Sequence, residues 1–127
     1  MDDRYRKATG NAGEDRALKH LRDHGLRLIA RNYRCRSGEI DLVMLDGVTL
    51  ALVEVRYRSR SYFGGAAASV TPRKQRRLLL AAEHLVGTHA ELRRYAARFD
   101  VVALDGAKEA PTIQWIRNAF TSEGKDW

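Results

Sequence analysis

Two neighbouring segments, Glu39–Leu45 and Val48–Arg56, constrain the fold of this chain more than any other feature of its sequence. Both are rich in apolar residues, and they flank Asp46-Gly47, a dipeptide favoured in the tight type I′ turn of a hairpin. The pair therefore predicts two antiparallel strands joined by a short turn. Because side chains alternate along a strand and both faces are apolar here, the hairpin is expected in a sheet covered on both sides.

Helices that could cover such a sheet are predicted on either side of the hairpin in the sequence. The first runs from Gly13 to His24, with Asn11 as its N-cap and Gly25 as a left-handed residue beyond its end. The second starts with Thr71 as N-cap and continues to about Val86; Pro72 takes its first position, and Leu78, Ala81, Ala82 and Leu85 form its apolar stripe. Further strands are expected at Leu26–Tyr33, at Phe99–Leu104 and, more weakly, at Thr112–Ile116. The order helix, three strands, helix, strand predicts an α/β fold with a central sheet flanked by helices.

Length and cysteine content narrow the class of protein. The 127 residues fit one domain, with a core from about residue 10 to 120 and with termini that fray. Cys35 is the single cysteine, so an intrachain disulfide and a thiolate metal cage are both excluded, and a cytoplasmic location is expected. No stretch approaches the ~18 apolar residues of a membrane span, so neither insertion nor secretion is expected, and nothing indicates a small-molecule cofactor.

Basic residues dominate the charge balance and indicate a polyanionic partner. Lys and Arg number 23 against 16 Asp and Glu, which gives a net charge of +7. Such a balance favours nucleic acid, although it is also compatible with a charge that only keeps the protein soluble.

Two basic segments supply a candidate nucleic-acid-binding face. The first, at the start of the second helix, consists of Arg73, Lys74, Arg76 and Arg77. Cations there are unfavourable by up to about 1 kcal/mol each, so a bound phosphate is a good reason for their presence. The second lies in a loop expected after the hairpin and offers aromatic rings for stacking; it contains Tyr57, Arg58, Arg60, Tyr62 and Phe63. Burial of Tyr57 and Phe63 in the core is an equal alternative.

The hairpin brings Asp41 and Glu54 together. With Asp46-Gly47 as the loop, Asp41 lies opposite Leu52, and Asp41 and Glu54 become diagonal neighbours with side-chain roots roughly 7–8 Å apart. A shift of the pairing by two residues would place the two acids directly opposite each other. Like charges at this position repel, and a divalent cation such as Mg²⁺, which prefers oxygen ligands, would relieve the repulsion. The alternative is that both acids form ordinary ion pairs with Arg34, Arg56 or Arg58.

Glu14 is a third candidate acid. It lies three and four residues before Ala17 and Leu18, and so projects from the apolar stripe of the first helix toward the sheet. Asn11 and Glu14 also have the spacing of a capping box, in which Glu14 would bond back to the start of the helix. The two roles are compatible. Asp100, inside an apolar strand, is expected to be structural.

These residues resemble a known pattern, that of the bacterial YraN-like family, over about Gly10 to Phe120. The matching motifs are Gly13-Glu14, Asn32-Tyr33-Arg34, Gly38-Glu39-Ile40-Asp41-Leu42, Val53-Glu54-Val55-Arg56 and Arg98-Phe99-Asp100-Val101-Val102. That family is similar to the restriction-endonuclease-like superfamily with PD-(D/E)xK active sites, which includes archaeal Holliday junction resolvases. The resemblance implies a restriction-endonuclease-like fold with a mixed central sheet.

The resemblance also implies roles for individual residues. Asp41 takes the position of the metal-binding aspartate, Glu54 that of the second acid, and Glu14 that of a glutamate on the first helix. The main-chain carbonyl of Val55 would also contact the metal, and the lysine of the pattern falls on Arg56.

Arg56 departs from the pattern in its chemistry. An arginine, with a pKa above about 12, cannot act as a base at neutral pH, although it can hold a phosphate and stabilise charge in the transition state. Lys74 is an alternative source of an ammonium group, because it continues the apolar stripe of its helix toward the sheet.

The leading hypothesis is a Mg²⁺- or Mn²⁺-dependent endonuclease acting on DNA, including branched or structured DNA. One alternative is a catalytically inactive nucleic-acid-binding module with a nuclease fold, which Arg56 favours. Another is a scaffold in a nucleic-acid-processing complex. The sequence leaves open whether the substrate is DNA or RNA and whether the protein forms a homodimer.

Overall fold

The chain folds into one five-stranded sheet with a helix on each face, in a computed structural model that describes residues 3–58, 69–106 and 109–121. In chain order the elements are α1 (Asp3–Asp23), β1 (Arg27–Cys35), β2 (Gly38–Asp46), β3 (Thr49–Arg58), α2 (Pro72–Thr88), a short 3-10 helix (Ala90–Leu92), β4 (Ala96–Asp105) and β5 (Thr112–Phe120). The predicted order is confirmed, with β5 extending four residues beyond its expected end. This α/β architecture is compatible with a restriction-endonuclease-like fold.

The sheet is mixed. Its strands lie in the order β1-β2-β3-β4-β5, and all neighbours are antiparallel except β3 and β4, which are parallel. Parallel strands need a long crossover, and α2 lies in the segment that connects β3 to β4. One apolar cluster packs the α2 face of the sheet and another packs the α1 face, so both faces are covered as predicted.

Helix α1 ends as the sequence predicts but begins earlier. Gly25 has φ +92°, and the N–H of Leu26 donates to the carbonyl of Leu21 at 3.1 Å, which is the pattern of a Schellman motif. Leu21 and Leu26 are both buried, which supplies the apolar contact that accompanies this ending. The predicted N-cap is wrong, because the helix begins at Asp3 and Asn11 lies inside it instead of at its start.

Helix α2 follows its local signals closely. The side-chain oxygen of Thr71 accepts a hydrogen bond from the backbone N–H of Lys74 at 3.2 Å, and Pro72 occupies the first position of the helix. The four residues of the predicted stripe, Leu78, Ala81, Ala82 and Leu85, are the buried ones. The helix ends at Thr88, two residues beyond the predicted end.

The predicted turn of the β2–β3 hairpin is wrong by one residue. Asp46 pairs with Thr49 and Leu45 with Leu50, so the loop is Gly47-Val48 instead of Asp46-Gly47. Gly47 has φ +61°, as the first loop residue of a type II′ turn requires. This register leaves Val48 78% exposed and buries Leu45 against Leu50, and the paired apolar burial explains why it prevails over the one predicted.

The segment after β3 differs from its prediction in part. Tyr57 and Arg58 belong to β3 and do not begin a loop, because the strand continues to Arg58. The predicted loop residues Arg60, Tyr62 and Phe63 lie outside the described residues, as does most of the predicted C-terminal fraying. No helix in the described ranges is long and apolar enough to cross a membrane.

Candidate metal and phosphate site

Asp41 and Glu54 meet where the pairing of β2 with β3 ends. The last paired residues are Leu42 and Val53, so the same register continued by one step places Asp41 directly opposite Glu54. This is the two-residue shift that the sequence leaves open. Strand β2 is irregular here. In a regular strand, side chains three residues apart point to opposite faces, yet Ile40 and Val43 both pack in the cluster on the α2 face. The predicted face of Ile40 is therefore wrong, and strict alternation along β2 stops next to Asp41.

The carboxyl of Asp41 lies in an electrostatically unfavourable position. Its Oδ2 accepts a hydrogen bond from the backbone N–H of Val55 at 2.8 Å, which stabilises the charged form. Burial of this carboxyl, followed by the negative charge of Glu54 and then that of Glu14, nevertheless raises the pKa of Asp41 well above its ordinary value. Two acids that share so small a space favour a proton or a cation between them.

Glu54 is buried, with 5% of its surface exposed, and two cations approach it. The ammonium Nζ of Lys74 on α2 lies 3.1 Å from Oε2 of Glu54, and Nη1 of Arg56 lies 3.9 Å from the same oxygen. The Nε of Arg56 is buried and has no hydrogen-bond partner within the described part of the chain. A buried donor without a partner is costly, and an anionic oxygen would satisfy it.

Glu14 lies at the same end of the sheet but is held by β1. Its Oε1 accepts hydrogen bonds from Nδ2 of Asn32 at 3.1 Å and from Nη2 of Arg31 at 3.3 Å. Asn32 adopts φ +51°, a left-handed conformation that asparagine tolerates better than most residues. The charge of Glu14 still acts on Asp41, so the three acids share one electrostatic environment.

The sequence identifies the three acids but not the side chains that hold Glu14. Arg31 and Asn32 form its immediate surroundings, and the only signal for them was Asn32 in the Asn32-Tyr33-Arg34 motif. The ion pairs expected as an alternative are partly present. Arg56 lies 3.9 Å from Glu54, whereas Arg34 pairs with Glu39 at 3.2 Å, and neither arginine forms an ion pair with Asp41.

The basic residues of α2 divide into one that turns toward the sheet and three that face solvent. Lys74 turns inward to Glu54, whereas Arg73, Arg76 and Arg77 are exposed. The first turn of α2 contains no acidic residue that would neutralise them.

The hydroxyl of Tyr57 donates to the carbonyl of Gly106, so this ring is tied to the end of β4.

Asp100 belongs to a different network. It is fully buried and accepts hydrogen bonds from Nε of Arg98, from Nε1 of Trp115 at 3.1 Å and from the backbone N–H of Asn118 at 2.9 Å. These contacts fasten β5 to β4 at the irregularity in their pairing between Phe99 and Val101. The geometry supports the structural role expected for Asp100.

The groups in the site that could bind a metal ion are carboxylate oxygens. Within residues 3–58, 69–106 and 109–121, no group of three or more His, Cys, Asp or Glu side chains is arranged to hold a metal ion. The pair Asp41 and Glu54 is therefore the acidic core of the site, and Glu14 lies beside it bonded to β1. Two carboxylates, with water and phosphate oxygens added, match the ligands that Mg²⁺ typically takes in phosphoryl-transfer sites.

Comparisons with known proteins place the chain in a defined group. A model of the family described as "Uncharacterised protein family UPF0102" matches residues 13–104. A UPF0102 protein of Stutzerimonas stutzeri is 50% identical over 116 residues, covering 91% of this chain and 97% of that protein. Another from Pseudomonas entomophila is 51% identical, covering 94% of this chain and 98% of that protein, and one from Ralstonia pickettii is 56% identical, covering 89% and 90%.

Proposed function

The chain belongs to the uncharacterised protein family UPF0102, the YraN-like family that its sequence resembles, and we propose that it is a divalent-metal-dependent phosphodiesterase acting on DNA. The observation that carries this proposal is the convergence of Asp41 and Glu54. Burial and the charge of Glu54 raise the pKa of Asp41, so the two charged acids together cost stability unless a proton or a cation relieves the repulsion. A functional metal site is a physical reason for keeping such an arrangement.

Asp41 and Glu54 would hold the ion, with the main-chain carbonyl of Val55 and the carboxylate of Glu14, directly or through water, as further oxygen donors. Mg²⁺ or Mn²⁺, when bound, supplies positive charge that polarises a scissile phosphate and lowers the pKa of a water molecule. The N–H of Val55 fixes the orientation of Asp41 through the 2.8 Å hydrogen bond. Glu14 is in turn oriented by Asn32 and Arg31.

Arg56 and Lys74 would serve the phosphate. The unpartnered Nε of Arg56 is a donor for a phosphate oxygen, and its guanidinium stabilises the negative charge that develops when the phosphodiester bond breaks. Lys74 supplies the ammonium that Arg56 does not, because its Nζ already reaches Glu54 from α2. It is thus close to the acids without belonging to β3.

A cleavage assay tests the proposal. The substrates are end-labelled duplex, single-stranded, flap and four-way-junction DNA, with an RNA duplex in parallel, each in Mg²⁺ and in Mn²⁺. Cleavage is expected with the wild-type protein and a loss of at least about 100-fold with Asp41→Ala, since such variants lose charge stabilisation of the transition state. Folding of Asp41→Ala is checked by circular dichroism. No cleavage of any substrate by the wild-type protein in either metal would contradict the proposal.

A non-cleaving nucleic-acid-binding module is the second candidate function, and one contact favours it. Lys74 already neutralises part of the charge of Glu54, as a permanent ion pair would in a protein without metal. Arg56→Lys separates the two functions. Wild-type cleavage that increases in this variant supports a nuclease site, whereas salt-dependent DNA binding with no cleavage in either form supports the binding module.

A further inference from the structure

The turn between β1 and β2 and the start of α2 meet at their backbones. Cys35 pairs with Gly38, so Arg36-Ser37 is the two-residue loop of a hairpin. A Cβ atom placed on Gly38 would lie 2.0 Å from the carbonyl oxygen of Arg77 and 2.8 Å from its carbonyl carbon. Any side chain at Gly38 would therefore push this turn away from α2.

This contact joins two sets of arginines into one surface, named here the Arg36 surface, which consists of Arg36, Arg73, Arg76 and Arg77. All four are exposed. None of them forms an ion pair with an acid in the part of the chain that the structure describes. Arg34, at the base of the same turn, differs because it pairs with Glu39 at 3.2 Å.

The charge of the Arg36 surface is unfavourable in the free protein. Positive side chains at the start of a helix repel both each other and the positive end of the helix dipole. Arg73 and Arg77 are one turn apart, on the order of 6 Å along the helix axis, which is about twice the ~3.4 Å rise between phosphates of one DNA strand. A bound phosphate chain would relieve the repulsion at the β1–β2 turn and at α2 at once.

We propose that the Arg36 surface binds the phosphate backbone of double-stranded nucleic acid, with Arg36 contacting phosphates from the β1–β2 turn and the arginines of α2 contacting the adjacent ones. This inference rests on the proposed function, because it takes nucleic acid as the partner. Its members are arginines, which suit phosphates and carry no sequence information by themselves. Binding of unpaired bases relies on aromatic stacking, and the Arg36 surface as defined here consists of arginines alone.

Lys74 connects this surface to the acids. It lies in the same helical turns as Arg73 and Arg77, and its ammonium points to Glu54 at 3.1 Å. A nucleic-acid phosphate backbone held by the Arg36 surface would therefore run next to Asp41 and Glu54. The surface positions the substrate, whereas the acids act on it.

Fluorescence anisotropy with a 20-base-pair DNA duplex in EDTA, over a series of NaCl concentrations, tests this inference without any cleavage. Arg36→Gln is expected to reduce the slope of log K against log [NaCl] by about 1 and to weaken binding several-fold at low salt. Arg22→Gln is the matched control, because Arg22 is exposed on α1, on the opposite face of the sheet. It is expected to bind like the wild-type protein.

Identical affinity and salt slope for Arg36→Gln and Arg22→Gln, with both folded, would overturn the inference. So would single-stranded DNA that binds as tightly as the duplex and loses as much affinity in Arg36→Gln. The proposed function fails separately. Duplex binding that depends on Arg36, combined with no cleavage in Mn²⁺, would support the Arg36 surface as a binding site and contradict the proposed nuclease activity.

Discussion

Replacing Asp100 by alanine should destabilise this protein more than replacing any other acid that the structure describes. The carboxylate is fully buried and accepts from three groups, the guanidinium of Arg98, the indole N–H of Trp115 and the backbone N–H of Asn118. Asp100→Ala removes the acceptor and leaves these donors facing an apolar methyl group. Arg98 would keep only its contact with Asp46 at 2.8 Å.

The size of the effect follows from these contacts. Removing one partner of a buried ion pair typically costs about 3–5 kcal/mol, because the donors that it satisfied lose their buried acceptor. Domains of this size have a free energy of unfolding of about 5–15 kcal/mol, so the loss is a large share of the total. At about 4 °C per kcal/mol, Tm should fall by roughly 12–20 °C. Asp100→Asn should cost less, about 2 kcal/mol, since one accepting oxygen remains.

Urea denaturation followed by circular dichroism measures this loss, and Asp46→Ala is the matched control. Asp46 contacts the same Arg98, but its side chain is 34% exposed, so its removal should cost less than about 1 kcal/mol. A cost for Asp100→Ala below about 1.5 kcal/mol, or equal to that of Asp46→Ala, would refute this reasoning.

Two further predictions concern the acids and the β1–β2 turn. Burial and the charge of Glu54 raise the pKa of Asp41, so the folded protein holds this proton more tightly than the unfolded chain, and stability falls as pH rises from the ordinary pKa of aspartate through the raised one. Asp41→Asn should therefore raise the free energy of unfolding at pH 7 in EDTA by about 1.4 kcal/mol for each pH unit between those two values, and raise Tm accordingly, with no such effect near pH 3. A lower Tm at pH 7 would contradict this. Gly38→Ala should cost about 1–3 kcal/mol in urea denaturation, because its Cβ would overlap the carbonyl oxygen of Arg77. Gly87→Ala, in the last turn of α2 and with open space around its Cβ, should be neutral or stabilising, and an equal loss in both variants would rule out the overlap as the cause.

Elements with strong local signals could be predicted from the sequence. Helix α2 has an N-cap hydroxyl, a proline at its first position and an apolar stripe, and each of these acts within a few residues. The same holds for the end of α1, where Gly25 supplies the left-handed residue that the ending needs. Local chemistry decides such features, so a single sequence is sufficient to find them.

The register of the β2–β3 hairpin could not be predicted in the same way. Local turn chemistry favours Asp46-Gly47, although Gly47-Val48 also provides a glycine that can adopt the positive φ of a hairpin turn. Pairing of Leu45 with Leu50 decides the register, because it buries both side chains while Val48 remains in solvent. This is a property of two strands and a core, and no short segment contains it.

The surroundings of the acids depend on still longer-range packing. Glu14 is 17 residues from Arg31 in the chain, and Lys74 reaches Glu54 only because α2 packs across the sheet. The sequence predicted that these groups approach the sheet. Which side chain bonds to which acid depends on the irregular backbone at Asn32 and at Asp41, which no periodic pattern reveals.

Direct measurement of Mn²⁺ binding tests the central claim that Asp41 and Glu54 hold a divalent ion. Titration of the metal-free protein, followed by the electron paramagnetic resonance of free Mn²⁺, gives the affinity and the number of sites without requiring a substrate. The wild-type protein should bind Mn²⁺, Asp41→Asn and Glu54→Gln should each lose that binding, and Asp46→Asn, an acid outside the site, should retain it. Absence of binding by the wild-type protein at millimolar Mn²⁺, or equal binding by all four proteins, would contradict the account.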